Sequence, residues 1–300
     1  MPTSIPASTT TEPAPAARRR SAGFWSDALG RIVKSRAATS GGLIVGLFVA
    51  VALLAPALAP YEPLRGRLVD RLQPPGASHW LGTDELGRDV LSRVLYGARI
   101  SLQIQIAAVG LALVLGTALG VVAGYVGRWP DMLIMRLVDI MMAFPGIFLA
   151  LAIIAALGTG LGNVILASGI FLVPQFARVV RGSVLTLKEM EFVTAARALG
   201  EGNLPIVFRY LLPNSLAPMI VQTTLRMATV LLTASGLSFL GLGVQPPSPE
   251  WGAMLSNSRA YMITAPHVAT VPGLAIMLVV LGFNLLGDGL RDSLDPRLRE

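Results

Sequence analysis

The stretch LQIQIAAVGLALVLGTALGVVA, residues 102–123, runs for 22 positions without a charged side chain. At about 1.5 Å of rise per residue, such a run crosses the roughly 30 Å hydrocarbon core of a bilayer as a single helix. The signal recurs along the chain. Apolar stretches of spanning length also occupy Gly41 to Leu58, Leu137 to Leu157, Val164 to Val180, Leu216 to Leu240 and Val268 to Leu286. Together they predict an all-α, polytopic membrane protein of about six transmembrane helices. The composition agrees: 53% of the 300 residues are hydrophobic, 14% are charged and mean hydropathy is +0.66. That balance argues against a soluble single domain.

Residues 1–40, rich in Pro, Ala, Ser and Thr, read as a flexible tail that carries Arg18, Arg19 and Arg20 and leads through Phe24 and Trp25 into an interfacial segment. The first span, 41–60, ends in Ala57-Leu58-Ala59, which imitates a signal-peptide cleavage site. The apolar run is longer than a signal peptide's and lies far from the N-terminus, so it reads as a retained helix. Residues 61–100 then form an extracytoplasmic segment and 101–290 the core of the bundle. A short cytoplasmic tail, 291–300, follows.

Arg31, Lys34 and Arg36 precede the first span, while Arg178, Arg181, Lys188, Arg197 and Arg209 crowd the connection between the fourth and fifth. With six spans both groups fall on one side, so excess positive charge places both termini in the cytoplasm. One segment resists that assignment: 61–100 holds Arg65, Arg67, Arg71, Arg88, Arg93 and Arg99. The net charge of +7 reads as membrane orientation and not as a nucleic-acid surface, because no aromatic residues interleave a basic face.

The chain has no cysteine, which excludes disulfides and thiolate chemistry, and its two histidines, His79 and His267, are far apart in sequence and read as loop residues. No metal site is expected. There is no G-x-x-x-x-G-K-[ST] phosphate loop, no H-E-x-x-H and no G-x-S-x-G, so no enzyme chemistry is expected of the chain. Gly116, Gly120 and Gly124, at four-residue spacing, predict a face where another helix approaches closely.

Between the fourth and fifth spans lies the hydrophilic insertion Gly182 to Asn214, far longer than a helix connection needs. Within it Phe192, Ala195, Ala196 and Leu199 fall at i, i+3, i+4 and i+7, one apolar stripe, and Gly200 stands where a helix would end. A second short helix follows from Leu204 to Leu212, with Pro205 near its start and Pro213 stopping it. Such a helix-turn-helix on the cytoplasmic face either covers the bundle or docks into a soluble partner.

Thr194-Ala195-Ala196, Gly200 and Leu212-Pro213 resemble the cytoplasmic EAA loop of ABC-importer permeases. Thr194 stands where that motif usually has Glu, and Tyr210 replaces an aliphatic residue. Three further stretches resemble the second, C-type permease of dipeptide, oligopeptide and nickel importers: HWLGTDELGRD at 79–89, LSFLGLG at 237–243 and NLLGDGLRD at 284–292. The likeness covers about Gly41 to Arg297.

The resemblance implies a type I importer fold like that of the methionine importer, in a bacterial inner membrane. It implies that Phe192, Thr194, Ala195, Ala196, Arg197, Leu199 and Gly200 form the helix that couples to a nucleotide-binding subunit. The implied partners are a homologous second permease in a heterodimer, one or two cytoplasmic ATP-binding subunits that hold the ATP and Mg, and an extracytoplasmic solute-binding protein. The chain itself is expected to bind no cofactor.

Two other groups of residues stand out. Gly82 and Gly87 permit turns, and Asp84, Arg88 and Asp89 can lock a compact outer loop by charge-assisted hydrogen bonds or help receive the binding protein. Asp139, Met141, Met142, Pro145, Gln222, Arg226 and Asn284 lie at membrane depth and are candidates for the solute path or the permease interface. Pro145 should kink the third span. Arg226 can instead snorkel toward the cytoplasm. The function expected is ATP-driven uptake of di- or oligopeptides by alternating access, with nickel or another small solute as the alternative cargo. A channel or self-contained secondary transporter does not need the long insertion, and an intramembrane protease needs paired catalytic groups that the spans do not offer.

Overall fold

The computed structural model describes residues 30–294. Expectations for residues 1–29, including Arg18 to Arg20, Phe24 and Trp25, and for 295–300 lie outside the described residues. The described chain is helical with one isolated β-bridge, Thr83 to Asp89. Its long helices are α1 Arg36–Leu58, α2 Val90–Val126, α5 Leu161–Leu187, α7 Leu216–Phe239 and α9 His267–Leu294, each long and apolar enough to cross a membrane. Between them stand α3 Arg128–Ala143, α4 Gly146–Leu157, α6 Glu191–Ala198 and α8 Trp251–Ser258.

The third expected span is where pattern and structure part. It is neither one helix nor a kinked helix, but two: α3 and α4 meet at 94° and begin at Arg128, not Leu137. Phe144 (ψ 135°) and Pro145 (ψ 131°) are both extended. The ring of a proline crowds the residue before it out of the helical region, and its missing N–H breaks the ladder. Counted as one bent pass, α3–α4 brings the total to six.

The remaining boundaries extend beyond the apolar runs. Ser35 caps α1 through Ala38 N–H at 3.3 Å, so residues 36–40, expected within a flexible tail, are helical, as are 30–34. Asp89 caps α2, whose first three turns occupy the last part of the 61–100 segment. Residues 291–294, expected in the C-terminal tail, complete α9. Polar residues such as Arg93 and Arg291 were invisible to a search for apolar runs, yet a capped helix carries them without penalty outside the hydrocarbon region.

At 37 residues, α2 is about 55 Å long and forms the spine of the bundle. The glycine stripe lies where α2 crosses α5: a Cβ on Gly116 would stand 2.4 Å from Phe176 Cβ, and one on Gly120 2.6 Å from the Ala177 carbonyl. Small residues let these backbones meet, the main source of helix adhesion where lipid offers no hydrophobic contrast. A core of Ile104, Ala108, Ala112, Phe171, Leu172, Phe176, Val230 and Leu237 fills the junction with α4 and α7. Phe48, Trp251 and Phe283 tie α1, α8 and α9 together, with ring centroids 5.9 and 6.3 Å from Phe48. The passes alternate, so Arg36, Leu294 and α6 lie at one end of the bundle and residues 61–89 at the other.

Candidate functional site

The 191–214 element is built on a hydrophobic core. Val193 and Ala196, one turn apart on α6, are buried with Val180, Val184, Ile206 and Leu211. Of the stripe expected from sequence only Ala196 is packed. Phe192, Ala195 and Leu199 face outward, Leu199 being 85% exposed, and Val193, outside that stripe, takes the place beside Ala196 on the packed face. Helical spacing identifies an apolar stripe but not which of two apolar faces the bundle takes.

Gly200 ends α6 as expected. At φ +84° it takes the left-handed turn, and Glu201 N–H bonds to Ala196 O at 3.1 Å while its own N–H bonds to Arg197 O at 2.9 Å. This double closure is favoured by glycine. Thr194 Oγ1 donates back to the Met190 carbonyl at 3.5 Å, and Arg197 stands over the Tyr125 ring at 5.9 Å.

Pro213 does not stop the second helix. The helical path runs over 203–214 and, after Ser215, on into α7. Within it Ile206–Leu211 winds as a π-turn, with Leu212 N–H reaching Val207 O. Pro213 has no N–H for the Arg209 carbonyl, and the wider turn gives its ring room without breaking the helix. Tyr210 is oriented by Glu201, which accepts its hydroxyl hydrogen at 3.0 Å, and this bond together with the nearby carboxylate raises the phenol above its ordinary value. Tyr125 donates to Asn203 at 2.8 Å, tying the element to the end of α2.

At the opposite end the three expected lock residues divide into two devices. Asp84 accepts from Arg88 Nε at 2.7 Å and from the Leu86 and Arg88 amides at 2.9 Å each. Asp89 does not pair with Arg88. Its Oδ2 accepts from Ser92 N–H and Oγ–H at 2.7 Å each, capping α2, and its Oδ1 lies 3.0 Å from His79 Nδ1. Gly82 and Gly87, at φ +76° and +68°, turn the chain on either side of Asp84.

The seven candidates at membrane depth do not converge. Asp139 pairs with Arg178 at 2.8 Å, joining α3 to α5 beside the tighter Asp131–Arg181 bridge. Arg226 Nε lies 2.8 Å from the Gln222 side-chain amide, which accepts when its oxygen is turned toward the guanidinium, so the guanidinium reaches back one turn toward the α6 end. That is the snorkelling direction. Met142 and Pro145 are exposed at the α3–α4 corner, Met141 is half-buried beside them, and Asn284 is exposed on α9 without a hydrogen bond to the other six. Among the described residues no three His, Asp or Glu side chains gather to hold a metal.

Residues 116–300 match the family described as the binding-protein-dependent transport system inner membrane component, which takes in α5, α6, α7 and α9 whole. The chain belongs to that family. Residues 23–75 of this permease also match the N-terminal transmembrane domain of oligopeptide transport permease C, which marks it as the C-type permease of an ABC importer. It is 51% identical over 275 residues to the dipeptide transport system permease protein DppC of Alkalihalophilus pseudofirmus, covering 92% of this chain and 90% of that one. To the glutathione transport system permease protein GsiD of Pectobacterium atrosepticum it is 48% identical over 276 residues, 92% of each. Its fold is similar to that of the MetNI methionine ABC transporter solved in inward-facing conformations, with a TM-score of 0.56, 20% identity and coverage of 68% of this chain and 97% of that one. The all-α, type I importer fold expected from sequence is thus the fold of the permease.

Sequence reading passed over several residues that the structure draws into the permease's polar sites. Arg93, 3.3 Å from Asp84 in the lock, also donates to the Pro63 carbonyl at 3.0 Å. His79 and His267, read as isolated loop residues, both serve the 82–89 turn: His79 meets Asp89, while His267 opens α9 and lies 3.2 Å from the Thr83 carbonyl. Glu250 is buried at the start of α8 and accepts from the Gly252 and Ala253 amides at 2.9 and 2.8 Å. The one available signal was Pro249-Glu250-Trp251, an acidic residue immediately before a helix, where a cap belongs.

Proposed function

We propose that this permease is one half of a heterodimeric importer of short peptides, driven by ATP hydrolysis on partner subunits that hold the ATP and Mg. The observation that carries the reading is the division of labour in α6. Val193 and Ala196 bind it to α5 and to the 203–214 segment, while Phe192, Leu199, Leu204 and Phe208 leave apolar surface exposed at the same end. A helix fastened on one face and apolar on the other suits docking into a cleft of an ATP-binding subunit. In this reading that end, with both chain termini, is cytoplasmic. Residues 61–89 then face a solute-binding protein outside.

Phe192, Thr194, Ala195, Arg197 and Leu199 would make the contact, while Ala196 and Gly200 would hold the helix in place. Motion of the ATP-binding subunits would move α6 as a lever and reorient the bundle between outward and inward access. The dipeptide and glutathione named for its relatives are both short peptides, which supports peptide cargo.

The test follows from exposure. Ala196 is buried, so a charge there would disturb packing and coupling together, whereas Leu199→Asp changes only exposed surface. Its membrane level should match that of the native chain, and peptide uptake and peptide-stimulated ATP hydrolysis by the assembled complex should fall about tenfold or more, the loss of a central apolar contact. Uptake at the native rate would falsify the coupling assignment.

A further inference from the structure

Six arginines lie between the first two spans, a positive charge on the side where the charge rule expects little, and the structure gives five of them partners. Arg65 lies 3.9 Å from Glu62 and Arg67 3.7 Å from Asp70. Arg71 donates to Tyr261 Oη at 2.9 Å. Arg88 and Arg93 are the buried partners of Asp84. Arg99 alone makes no ion pair or hydrogen bond among the described residues, and its side chain is exposed.

Arg99 stands in the third turn of α2, just before the uncharged run 102–123, the depth at which a helix passes from the headgroup region into hydrocarbon. It lines a cleft of about 540 Å³ between α1, α2 and the 247–249 strap, within the roughly 300–1,000 Å³ of a small-ligand site. Tyr96, Arg99 and Gln103 all line it and fall at i, i+3 and i+7, one helix face. None of the three makes a side-chain hydrogen bond among the described residues. Below them the cleft opens on Leu53 of α1 and Ile106 of α2, 68% and 55% exposed, so its apolar floor is continuous with the outward surfaces of both helices.

We propose that this cleft binds one anionic phospholipid of the leaflet at the 61–89 end. Its phosphodiester sits on the Arg99 guanidinium, with Tyr96 and Gln103 donating beside it, and one acyl chain runs against Leu53 and Ile106. A guanidinium presents a planar fork of donors that matches two phosphate oxygens. Aromatic hydroxyls such as that of Tyr96 are favoured at the interface. A lipid rather than a protein helix is the occupant because polar tips sit at the rim and apolar residues below them, the order of a lipid's own headgroup and chain. The site also gives the sixth arginine a partner: four of the others face carboxylates, Arg71 bonds to a tyrosine hydroxyl, and Arg99 meets the membrane's phosphodiester.

Native mass spectrometry of the full-length permease, released from bilayers of phosphatidylethanolamine and phosphatidylglycerol, tests this. The native chain should retain one phosphatidylglycerol. Arg99→Gln should lower its retention about tenfold, the loss of a charge-assisted hydrogen bond, and Arg99→Lys should restore part of it. Arg65→Gln, which removes the same charge from the same segment, should change nothing. The proposal is overturned if Arg99→Gln retains lipid as the native chain does, if Arg65→Gln loses it equally, or if inorganic phosphate displaces the lipid. It is also overturned if assembly with the second permease expels the lipid, which would assign the cleft to a protein.

Discussion

At Glu250 a carboxylate is buried with neutral donors only. Two amides at the start of α8 and the Ser235 hydroxyl, 3.4 Å away, face it, and no Lys or Arg among the described residues pairs with it. Burial raises its pKa above the ordinary value of 4.5, against the lowering effect of those hydrogen bonds. A raised folded pKa means that the folded permease holds this proton more tightly than the unfolded chain does. The resulting stabilisation is complete below about pH 4.5 and is lost as pH rises through the folded value. Glu250→Gln carries no titrating proton, so the difference in thermal stability between the native chain and this variant should shift in favour of the native chain as pH is lowered through that window. A difference that stays constant with pH would remove Glu250 as the titrating group. At this scale the sequence was partly legible. Asp84 and Arg88 declared themselves by lying within a few residues of two turn-making glycines, but Arg93 and His79 did not, because their partners Pro63, Asp84 and Asp89 come together only through the fold of the whole 61–93 segment.

Among the elements, those whose pattern is purely apolar were read correctly in number, and those with a competing local rule were not. Residues 102–123 could only be a span, and α2 contains them. Around Pro145, Leu137 to Leu157 reads as one apolar run, yet the local exclusion of Phe144 from the helical region splits it in two. Pro213 shows the opposite error: a π-turn absorbs it and the helix continues. In α6 the spacing allowed two apolar faces, and only contact with Val180 and Val184 chose Val193 and Ala196. The glycine stripe was legible because only small residues permit such an approach. Gly120→Leu would drive a side chain into the Ala177 carbonyl and Val180 and should destabilise the α2–α5 pair by about 1–3 kcal/mol, the usual cost of overpacking. Gly110→Leu, whose Cβ would meet nothing within 4 Å, should stay near native. Unfolding midpoints of the two variants in detergent decide the matter, and equal midpoints would mean that the stripe is not a tight contact.

At the scale of the whole molecule, α2 is the one element among the described residues that reaches from one polar site to the other. Its first residues are capped by Asp89 beside the Asp84 lock, and its last turn holds Asn203 through Tyr125, so a rigid helix of about 55 Å links the end proposed to meet the binding protein with the end proposed to meet the ATPase. If the linkage is mechanical, breaking the helix in its middle should separate the two ends while each remains folded. Gly110 is the place to do it, since space is open around it and a substitution there acts on the backbone alone. Gly110→Pro removes one ladder bond and crowds the carbonyl four residues back, at a cost of about 3 kcal/mol. Gly110→Ala serves as the control that changes the side chain and keeps the ladder. In the assembled complex, Gly110→Pro should retain basal ATP hydrolysis but lose its stimulation by the peptide-loaded binding protein, and Gly110→Ala should keep both. Stimulation at the native level in Gly110→Pro would show that the two ends communicate through other passes, with α5, packed along α2 for most of its length, the next helix to break.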